Sequence, residues 1–254
     1  TFMLFSAGDN VGASPPNSGL LQDMPTIDVE NAWGVDASTY GNHEFDYGLT
    51  RLLQQQAQAT FPFLACNIVE TATGKPPTWA KTSMVFLVDG IKVGVIGAAL
   101  EDTPELVAAG NTAGLTFLPA VSSIQAESLR LARQGVRIQI VLMHEGSALG
   151  QNAIDGLAPI PWVGPGITIA EGLQDTTVDV IIGGHTHRVT NTMVGHILMV
   201  EALNSGISYS VLQLMVLGND VVWAGGATRG SKILGVAPRA DVQAIVDQAN
   251  AETA

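Results

Sequence analysis

Short apolar runs recur along this chain, most of them bounded by glycine or aspartate, and helix-like segments separate several of them. Their length and flanking residues predict strands at 2–6, 37–40, 63–67, 83–88, 92–98, 138–144, 178–182, 197–201, 208–216 and 221–224. Amphipathic spacing and glycine stops predict helices at 26–33, 48–57, 119–134, 166–174 and 240–254. Such alternation is typical of a layered α/β protein, and the last strands, which lack intervening helices, predict an antiparallel portion.

Composition restricts the class of protein. The 254 residues are 46% hydrophobic and only 13% charged, as in a folded protein with a sizeable core. The net charge of −12 argues against non-specific binding to nucleic acid or an anionic membrane. It does not exclude a phosphate substrate, because bound metal ions would supply local positive charge. No run reaches the roughly 18–20 apolar residues of a membrane span, and the single cysteine, Cys66, is expected to be buried.

The segment 183–187, Gly-Gly-His-Thr-His, carries the most specific signal. Residues i and i+2 of an extended backbone point to the same side, so we expect His185 and His187 to face one ligand. The two glycines allow the chain to approach that ligand closely. Two converging neutral imidazoles favour a metal site.

Three further candidates lie at or just beyond the carboxyl ends of predicted strands: Asp9, Asn42 and His144. In α/β folds, ligand sites lie at the carboxyl ends of strands. A two-metal hydrolase needs a bridging carboxylate, imidazoles and an open position for water and substrate. Taken singly, these residues are more often turn residues or a satisfied buried histidine. Because four of the five histidines lie in strand-end motifs, the set together predicts a metal centre.

His43 is adjacent to Asn42 and is followed by two carboxylates, Glu44 and Asp46. In an extended backbone His43 would point away from the metal and towards the substrate. A carboxylate beside it would fix its tautomer and raise its pKa, so that the imidazolium stabilises a phosphoryl transition state or protonates a leaving oxygen. His196 is expected to be a surface histidine. Glu145 is either a carboxylate that supports the metal ligands from behind or simply a solvated one, and the solvated interpretation is slightly favoured.

Five motifs, taken in order, resemble those of calcineurin-like metallophosphoesterases: 8–14 (GDNVGAS), 41–48 (GNHEFDYG), 66–67 (CN), 144–146 (HEG) and 184–187 (GHTH). More narrowly, the chain is similar to the catalytic domain of the bacterial 5′-nucleotidase and 2′,3′-cyclic phosphodiesterase family, over about residues 2–252. The resemblance implies a four-layer α/β/β/α sandwich of two mixed sheets flanked by helices.

The resemblance also implies two divalent ions. Asp9 would bridge them, Asn42, His144 and His185 would bind one ion, and His187 would bind the other. A metal-bridging hydroxide would attack phosphorus in line with the leaving alcohol. The mixed nitrogen and oxygen ligands favour zinc or manganese, and magnesium, calcium and cobalt are the alternatives.

By the same resemblance His43 would be the catalytic histidine, supported by Asp46 or Glu44. Arg188 is a candidate for contacting a substrate phosphate, although simple solvent exposure is the more favoured interpretation. The family's upstream Asp-x-His motif would precede Thr1, so we expect weak binding of the ion held by His187. We therefore interpret 1–238 as the catalytic domain without its first strand, and 239–254 as a linker helix towards a nucleotide-binding domain.

The leading hypothesis is a metal-dependent hydrolase of nucleoside 5′-phosphates, acting on a small-molecule substrate. The alternatives are a 2′,3′-cyclic phosphodiesterase, another nucleotide or sugar-phosphate hydrolase, a catalytically silent binding protein with the same fold and, less favoured, a protein serine/threonine phosphatase. The resemblance implies a periplasmic, secreted or cell-wall location, with the signal peptide lost upstream. The sequence indicates no oligomeric state.

Overall fold

The computed structural model describes residues 2–148, 150, 160–232 and 235–254. Within these residues the helices are α1 (Pro16–Gly19), α2 (Met24–Trp33), α3 (Gly48–Gln58), α4 (Thr103–Leu106), α5 (Ala120–Arg133), α6 (Pro165–Gly172) and α7 (Ala240–Glu252). The strands are β1 (Phe5–Ser6), β2 (Ala37–Thr39), β3 (Phe63–Leu64), β4 (Ile68–Glu70), β5 (Ser83–Val88), β6 (Ile91–Ala98), β7 (Leu115–Phe117), β8 (Ile138–Met143), β9 (Val178–Gly183), β10 (Val189–Val194), β11 (Ile197–Ala202), β12 (Ser208–Leu217) and β13 (Asp220–Gly230). A 3₁₀ turn spans His43–Phe45.

The largest sheet is six-stranded and mixed, with the order β10-β11-β9-β8-β6-β5. Its four inner strands run parallel, and each edge strand pairs antiparallel with its neighbour. All six residues of β8 are buried, because layers cover both faces of the sheet. Ile140 and Leu142 pack into the core on one face, and Val141 and Met143 pack into the core on the other.

A second layer covers one face of this sheet. It consists of the parallel three-stranded sheet β1-β2-β3 and the antiparallel hairpin β12-β13. Side chains from both pieces, such as Ala37 and Leu214, pack with Ile140 and Val200 of the larger sheet in one core cluster. The antiparallel pairing predicted for the last strands is confirmed in this hairpin.

Helices close the two outer faces. Ile124 of α5 and Ile169 of α6 pack into the cluster on the open side of the six-stranded sheet. Ile27 of α2 and Leu52 of α3 pack into a separate cluster with Phe63 of the three-stranded sheet. The order helix, sheet, sheet, helix is the expected four-layer α/β/β/α sandwich, so the predicted fold class is confirmed.

Short and polar elements are where the prediction and the structure differ. β4 and β7 form a separate two-stranded ribbon of three residues each, which is too short to show a period. The sequence of β10 contains Thr190, Asn191 and Thr192 and therefore lacks an apolar run. The strand predicted at 2–6 is limited to β1, because the Leu4 amide donates to a carboxylate oxygen of Asp36 (2.7 Å). The stretch 150–166, whose glycines, prolines and lack of periodicity predict a long loop, lies mostly outside the described residues.

The helix predicted at 240–254 is confirmed as α7, which lies against α1 and α2. Asn17 Nδ2 donates to Asn250 Oδ1 (2.9 Å), and the Arg239 guanidinium donates to the carbonyl oxygen of Ala32 (2.8 Å). Ala249 is buried in this contact region. The role of α7 as a linker remains a prediction. None of the described helices combines the length and apolar character that crossing a membrane requires.

Cys66 is partly buried and packs against the core cluster of the six-stranded sheet. Burial raises the pKa of its thiol. A thiol with a raised pKa is a poor nucleophile at neutral pH, which agrees with its interpretation as a small buried side chain.

A β-bulge interrupts the pairing of β8 with β9, at the end of the sheet opposite the strand-end motifs. Gln139 pairs with Val178 and Ile140 pairs with Val180, so Asp179 is the extra residue. The Asp179 Oδ2 atom accepts the Gln139 amide hydrogen (2.9 Å). Burial raises the pKa of the Asp179 carboxyl to about 6, above the usual value of about 3.9. The folded state therefore binds this proton more tightly than the unfolded state, and stability decreases as the pH rises from about 4 to about 6.

Asp179→Asn is expected to stabilise the protein at pH 8 by about 1–2 kcal/mol, because it removes the buried charge and keeps an acceptor for the Gln139 amide. The gain should disappear near pH 4, where the carboxyl is protonated in the folded protein. Urea denaturation at both pH values measures it. Asp179→Ala, which lacks the acceptor, is the control for the hydrogen bond, and an equal gain at pH 4 and pH 8 would contradict the prediction.

Candidate metal centre

The candidate ligands lie where the two sheets bring the carboxyl ends of their parallel strands together. Asp9 follows β1, Asn42 follows β2, His144 follows β8 and His185 follows β9. Ligand atoms of Asp9, His144 and His185 all lie within 4.8 Å of one another. Residues far apart in the sequence therefore form one cluster, as the strand-end pattern predicts.

His144 shows how this cluster fits a cation. It is 1% exposed, and its Nδ1 lies 2.6 Å from the carbonyl oxygen of Ala7, which places a proton on Nδ1. Its Nε2 lies 2.9 Å from Asp9 Oδ2, yet it has no hydrogen-bond partner of acceptable geometry in the described part of the chain. Burial lowers the pKa of His144, but the adjacent Asp9 carboxylate raises it overall. An added proton or a metal ion would compensate this contact between two lone-pair-bearing atoms.

Asn42 supplies a second unpartnered atom. Its side chain is 6% exposed, and among the described residues nothing donates a hydrogen bond to its buried Oδ1. The preceding Gly41 is required for close approach: a Cβ there would lie 2.1 Å from Asp9 Oδ1 and 2.7 Å from His144 Cε1. Carboxylate, amide and imidazole donors together suit a divalent ion such as zinc or manganese.

The backbone of the Gly-His-Thr-His segment is not extended, and the reason given for its two histidines facing one ligand was wrong. His185 (φ 67°) and His187 (φ 55°) are both left-handed, and the Thr186 amide donates to the Gly184 carbonyl oxygen (2.7 Å). The chain therefore turns sharply here. His185 joins the cluster with Asp9, whereas His187 is exposed and lies outside the group within 4.8 Å. Binding of a second ion by His187 stays a prediction.

His43 lies beside the cluster. Asn42 is helical (φ −71°, ψ −35°) and begins the 3₁₀ turn, so the extended backbone assumed for this pair was also wrong. The His43 amide donates to Asp9 Oδ1 (2.9 Å), and its Nδ1 lies 2.6 Å from Asp46 Oδ2. Burial lowers the pKa of His43, but the Asp46 hydrogen bond and the charges of Asp9, Asp46 and Glu44 raise it overall. The side chain is 35% exposed, so the ring is open to solvent.

Glu44 has a different role from Asp46. Its carboxylate is 4% exposed and accepts the amide hydrogens of Asp9 (2.9 Å), Asn10 (2.8 Å) and Gly41 (2.5 Å). Burial and the charge of Asp9 raise the pKa of Glu44 to about 7. Glu44 thus connects the loop that carries Asp9 to the loop that carries Asn42. The carboxylate that contacts the His43 ring is Asp46.

Two buried carboxylates next to the site loops, Asp23 and Glu201, were not predicted. Asp23 accepts the Gly12 amide hydrogen (2.9 Å) and the Ser18 hydroxyl (3.0 Å), which fixes the loop after Asp9. No sequence pattern pointed to Asp23. Glu201, 1% exposed, lies at the end of β11 against the segment 184–188. Its signal was available, because it is the single acidic residue in the apolar run of β11.

The remaining candidates have simpler outcomes. Glu145 is partly buried and accepts the Gly146 amide hydrogen (3.0 Å), so it is less exposed than the favoured interpretation assumes, and its role at the site stays a prediction. His196 is exposed at the β10–β11 turn, as expected. Arg188 is exposed, and its backbone amide donates to Glu201 Oε1 (3.0 Å). Contact of Arg188 with a substrate stays a prediction.

Comparison with known proteins places this arrangement in context. A family model described as calcineurin-like phosphoesterase matches residues 2–189. Cell wall protein Lmo0130 of Listeria monocytogenes is 31% identical over 265 residues, covering 96% of this chain and 34% of that protein. A 5′-nucleotidase of Vibrio cholerae is 31% identical over 186 residues, covering 72% of this chain and 32% of that protein. The chain thus spans about a third of each of these two relatives.

A solved structure supports the fold. The sulfate thiohydrolase SoxB of Thermus thermophilus superposes with a TM-score of 0.83 at 19% identity, covering 98% of this chain and 42% of that one. Likeness at this level of identity is evidence of the fold alone.

Proposed function

The chain belongs to the calcineurin-like phosphoesterase family, and on this premise we propose that it is a two-metal phosphoesterase that hydrolyses nucleoside 5′-phosphates. One observation carries the proposal. A cluster of Asp9, His144 and His185 lies directly beside a His43–Asp46 pair whose imidazole is open to solvent. Candidate metal ligands next to a histidine with a raised pKa suit phosphate-ester hydrolysis, which uses metal ions to activate water and a proton donor for the leaving oxygen.

The division of roles follows from the contacts. Asp9, Asn42, His144 and His185 would hold one divalent ion, and Asp9 with His187 would hold the other. Bound ions supply Lewis acidity, neutralise phosphate charge and activate water. The chain's overall charge of −12 repels a phosphate, so such local positive charge is needed for substrate to bind.

His43 would donate the proton that the leaving alkoxide needs. Asp46 Oδ2 lies 2.6 Å from His43 Nδ1 and so holds the ring with Nε2 directed away from this bond. The Asp9 hydrogen bond to the His43 amide fixes the ring's backbone relative to the metal ligands.

The substrate class rests on the relatives. The Vibrio cholerae relative named a 5′-nucleotidase favours nucleoside 5′-phosphates, with 2′,3′-cyclic nucleotides and other nucleotide or sugar phosphates as alternatives. The Listeria relative named a cell wall protein favours a location outside the cytoplasm, in the periplasm, the medium or the wall. Within this proposal, residues 1–238 form the catalytic domain and 239–254 the linker helix.

Phosphate release from AMP by the purified chain, with manganese or zinc added, tests the proposal. We expect turnover that EDTA abolishes and that added metal restores. p-Nitrophenyl phosphate and 2′,3′-cyclic AMP are assayed in parallel to separate the substrate classes. Folded, metal-loaded protein that hydrolyses none of the three would favour the catalytically silent alternative.

A further inference from the structure

A single buried carboxylate, that of Glu201, contacts both loops that carry the cluster histidines. Its Oε1 accepts the Thr186 hydroxyl (2.8 Å) and the Arg188 amide hydrogen (3.0 Å). Its Oε2 lies within reach of the same hydroxyl (2.8 Å) and accepts the Ser147 amide hydrogen (3.3 Å). Thr186 and Arg188 flank His187 and follow His185, whereas Ser147 lies three residues after His144.

The loop at 185–188, on one side of the Glu201 carboxylate, has a backbone conformation that depends on surrounding contacts. His185 and His187 both have a positive φ, at 67° and 55°, a conformation that residues other than glycine adopt only when surrounding contacts hold it. Thr186 lies between them and directs its hydroxyl to Glu201. The Glu201 carboxylate is therefore placed to hold the turn that directs His185 towards the cluster.

The loop after His144, on the other side, packs directly against the Glu201 carboxylate. A Cβ at Gly146 would lie 2.2 Å from Thr186 Oγ1 and 2.5 Å from Glu201 Oε2, so only glycine fits there. The next residue, Ser147, also bonds through its hydroxyl to Thr190 of β10 (2.5 Å). The two loops thus meet at Glu201 without intervening space.

The contacts of Glu201 do not suit a metal ligand or a surface ion pair. Its partners are backbone amides and hydroxyls, and none of the described lysine or arginine side chains forms an ion pair with it. Both oxygens are occupied by donors of the loops. A buried carboxylate with such partners costs free energy to desolvate, and the structure it maintains is the relative position of these two loops.

We infer that Glu201 is a positioning residue for the metal centre: it holds the His144 and His185 loops so that the two rings lie 5.3 Å apart. The assignment to a metal centre rests on the proposed function, whereas the coupling of the loops does not. Glu201 belongs to this centre in the way that Glu44 does for the loops of Asp9 and Asn42.

Two readouts on three variants test this inference. Glu201→Leu removes every acceptor, Thr186→Val removes one hydroxyl at nearly constant shape, and Glu201→Gln keeps an acceptor for Thr186 and Arg188. Amide hydrogen exchange in the metal-free protein reports the loops directly. We expect faster exchange at the Arg188 and Ser147 amides in the leucine variant, faster exchange at Arg188 in the valine variant, and near wild-type exchange at Arg188 in the glutamine variant.

Calorimetric titration with manganese is the second readout. We expect affinity to fall about tenfold or more in Glu201→Leu and in Thr186→Val, and by less than about threefold in Glu201→Gln. Glu171→Ala, at an exposed position of α6, is the matched control and should leave both readouts unchanged. If Glu201→Leu does not fold, Thr186→Val alone tests whether the Glu201 contact positions the loops.

The outcomes separate the two proposals. Wild-type protein that binds no metal would overturn the proposed function, while faster exchange at Arg188 in the valine variant would still support the coupling of the loops. Folded variants that keep both wild-type exchange and wild-type metal affinity would overturn the role of Glu201. Equal loss of affinity in the glutamine and leucine variants would also contradict it, because Gln retains the acceptor that the inference requires.

Discussion

His185→Ala is expected to weaken manganese or zinc binding by on the order of 100-fold or more, while the protein stays folded. Loss of residues that merely orient a metal ligand costs about 10–100-fold in affinity, so loss of a ligand should cost at least as much. His185 offers one of three ligand atoms that lie within 4.8 Å of one another. Its side chain is only partly buried, so its removal leaves the core clusters intact.

Calorimetric titration of the wild type and the variant measures this effect. His196→Ala is the matched control, because His196 is an exposed histidine at the β10–β11 turn and lies outside the cluster. It should bind metal as the wild type does. Equal affinity of the His185 and His196 variants would show that the cluster is not the principal metal site.

That the candidate ligands come together was predictable from sequence because of a topological rule. The carboxyl ends of parallel strands meet at one edge, so polar residues after β1, β2, β8 and β9 had to converge. This argument needs only the position of each strand end. It singled out Asp9, Asn42, His144 and His185 as candidates without knowledge of their distances, and three of them, Asp9, His144 and His185, lie together in the structure.

The local backbone was not predictable in the same way. Both the His185–His187 segment and the Asn42–His43 pair were treated as extended, and both are turns in the structure. Turns at strand ends are stabilised by tertiary contacts. Here the Glu44 carboxylate bonds Asp9, 35 residues away in sequence, and the Glu201 carboxylate bonds Thr186, 15 residues away. The hydrophobic periodicity of the sequence gives no information about these contacts.

The strands of the fold likewise divide into those that the sequence predicts and those that it does not. Long apolar strands such as β6, β8 and β9 were predicted nearly to their ends, because burial on both faces requires a continuous apolar run. The ribbon β4-β7 and the polar strand β10 were missed, since their pairing depends on neighbours rather than on composition. Sequence reasoning is therefore strongest where burial alone determines the structure.

His43→Ala is expected to lower kcat on AMP by about 10²–10⁴-fold, the usual contribution of a positioned general acid. Metal affinity should stay near that of the wild type, because His43 lies outside the group of ligand atoms within 4.8 Å. The loss should be much smaller on p-nitrophenyl phosphate, because its phenolate leaves readily without protonation, whereas the alkoxide of AMP requires a proton. A loss of the same size on both substrates would contradict a role in leaving-group protonation.

Asp46→Asn provides the pH test of the same residue. Asp46 raises the pKa of His43 through a 2.6 Å contact, so the acid form persists above the usual histidine pKa of about 6.5. Without that charge the pKa falls, and the alkaline limb of the kcat profile for AMP should move to lower pH. The profile for p-nitrophenyl phosphate should move less, since its hydrolysis depends less on the proton. Unchanged profiles for AMP in Asp46→Asn would mean that His43 does not act in its protonated form, and the role of proton donor would then have to pass to another group at the metal centre.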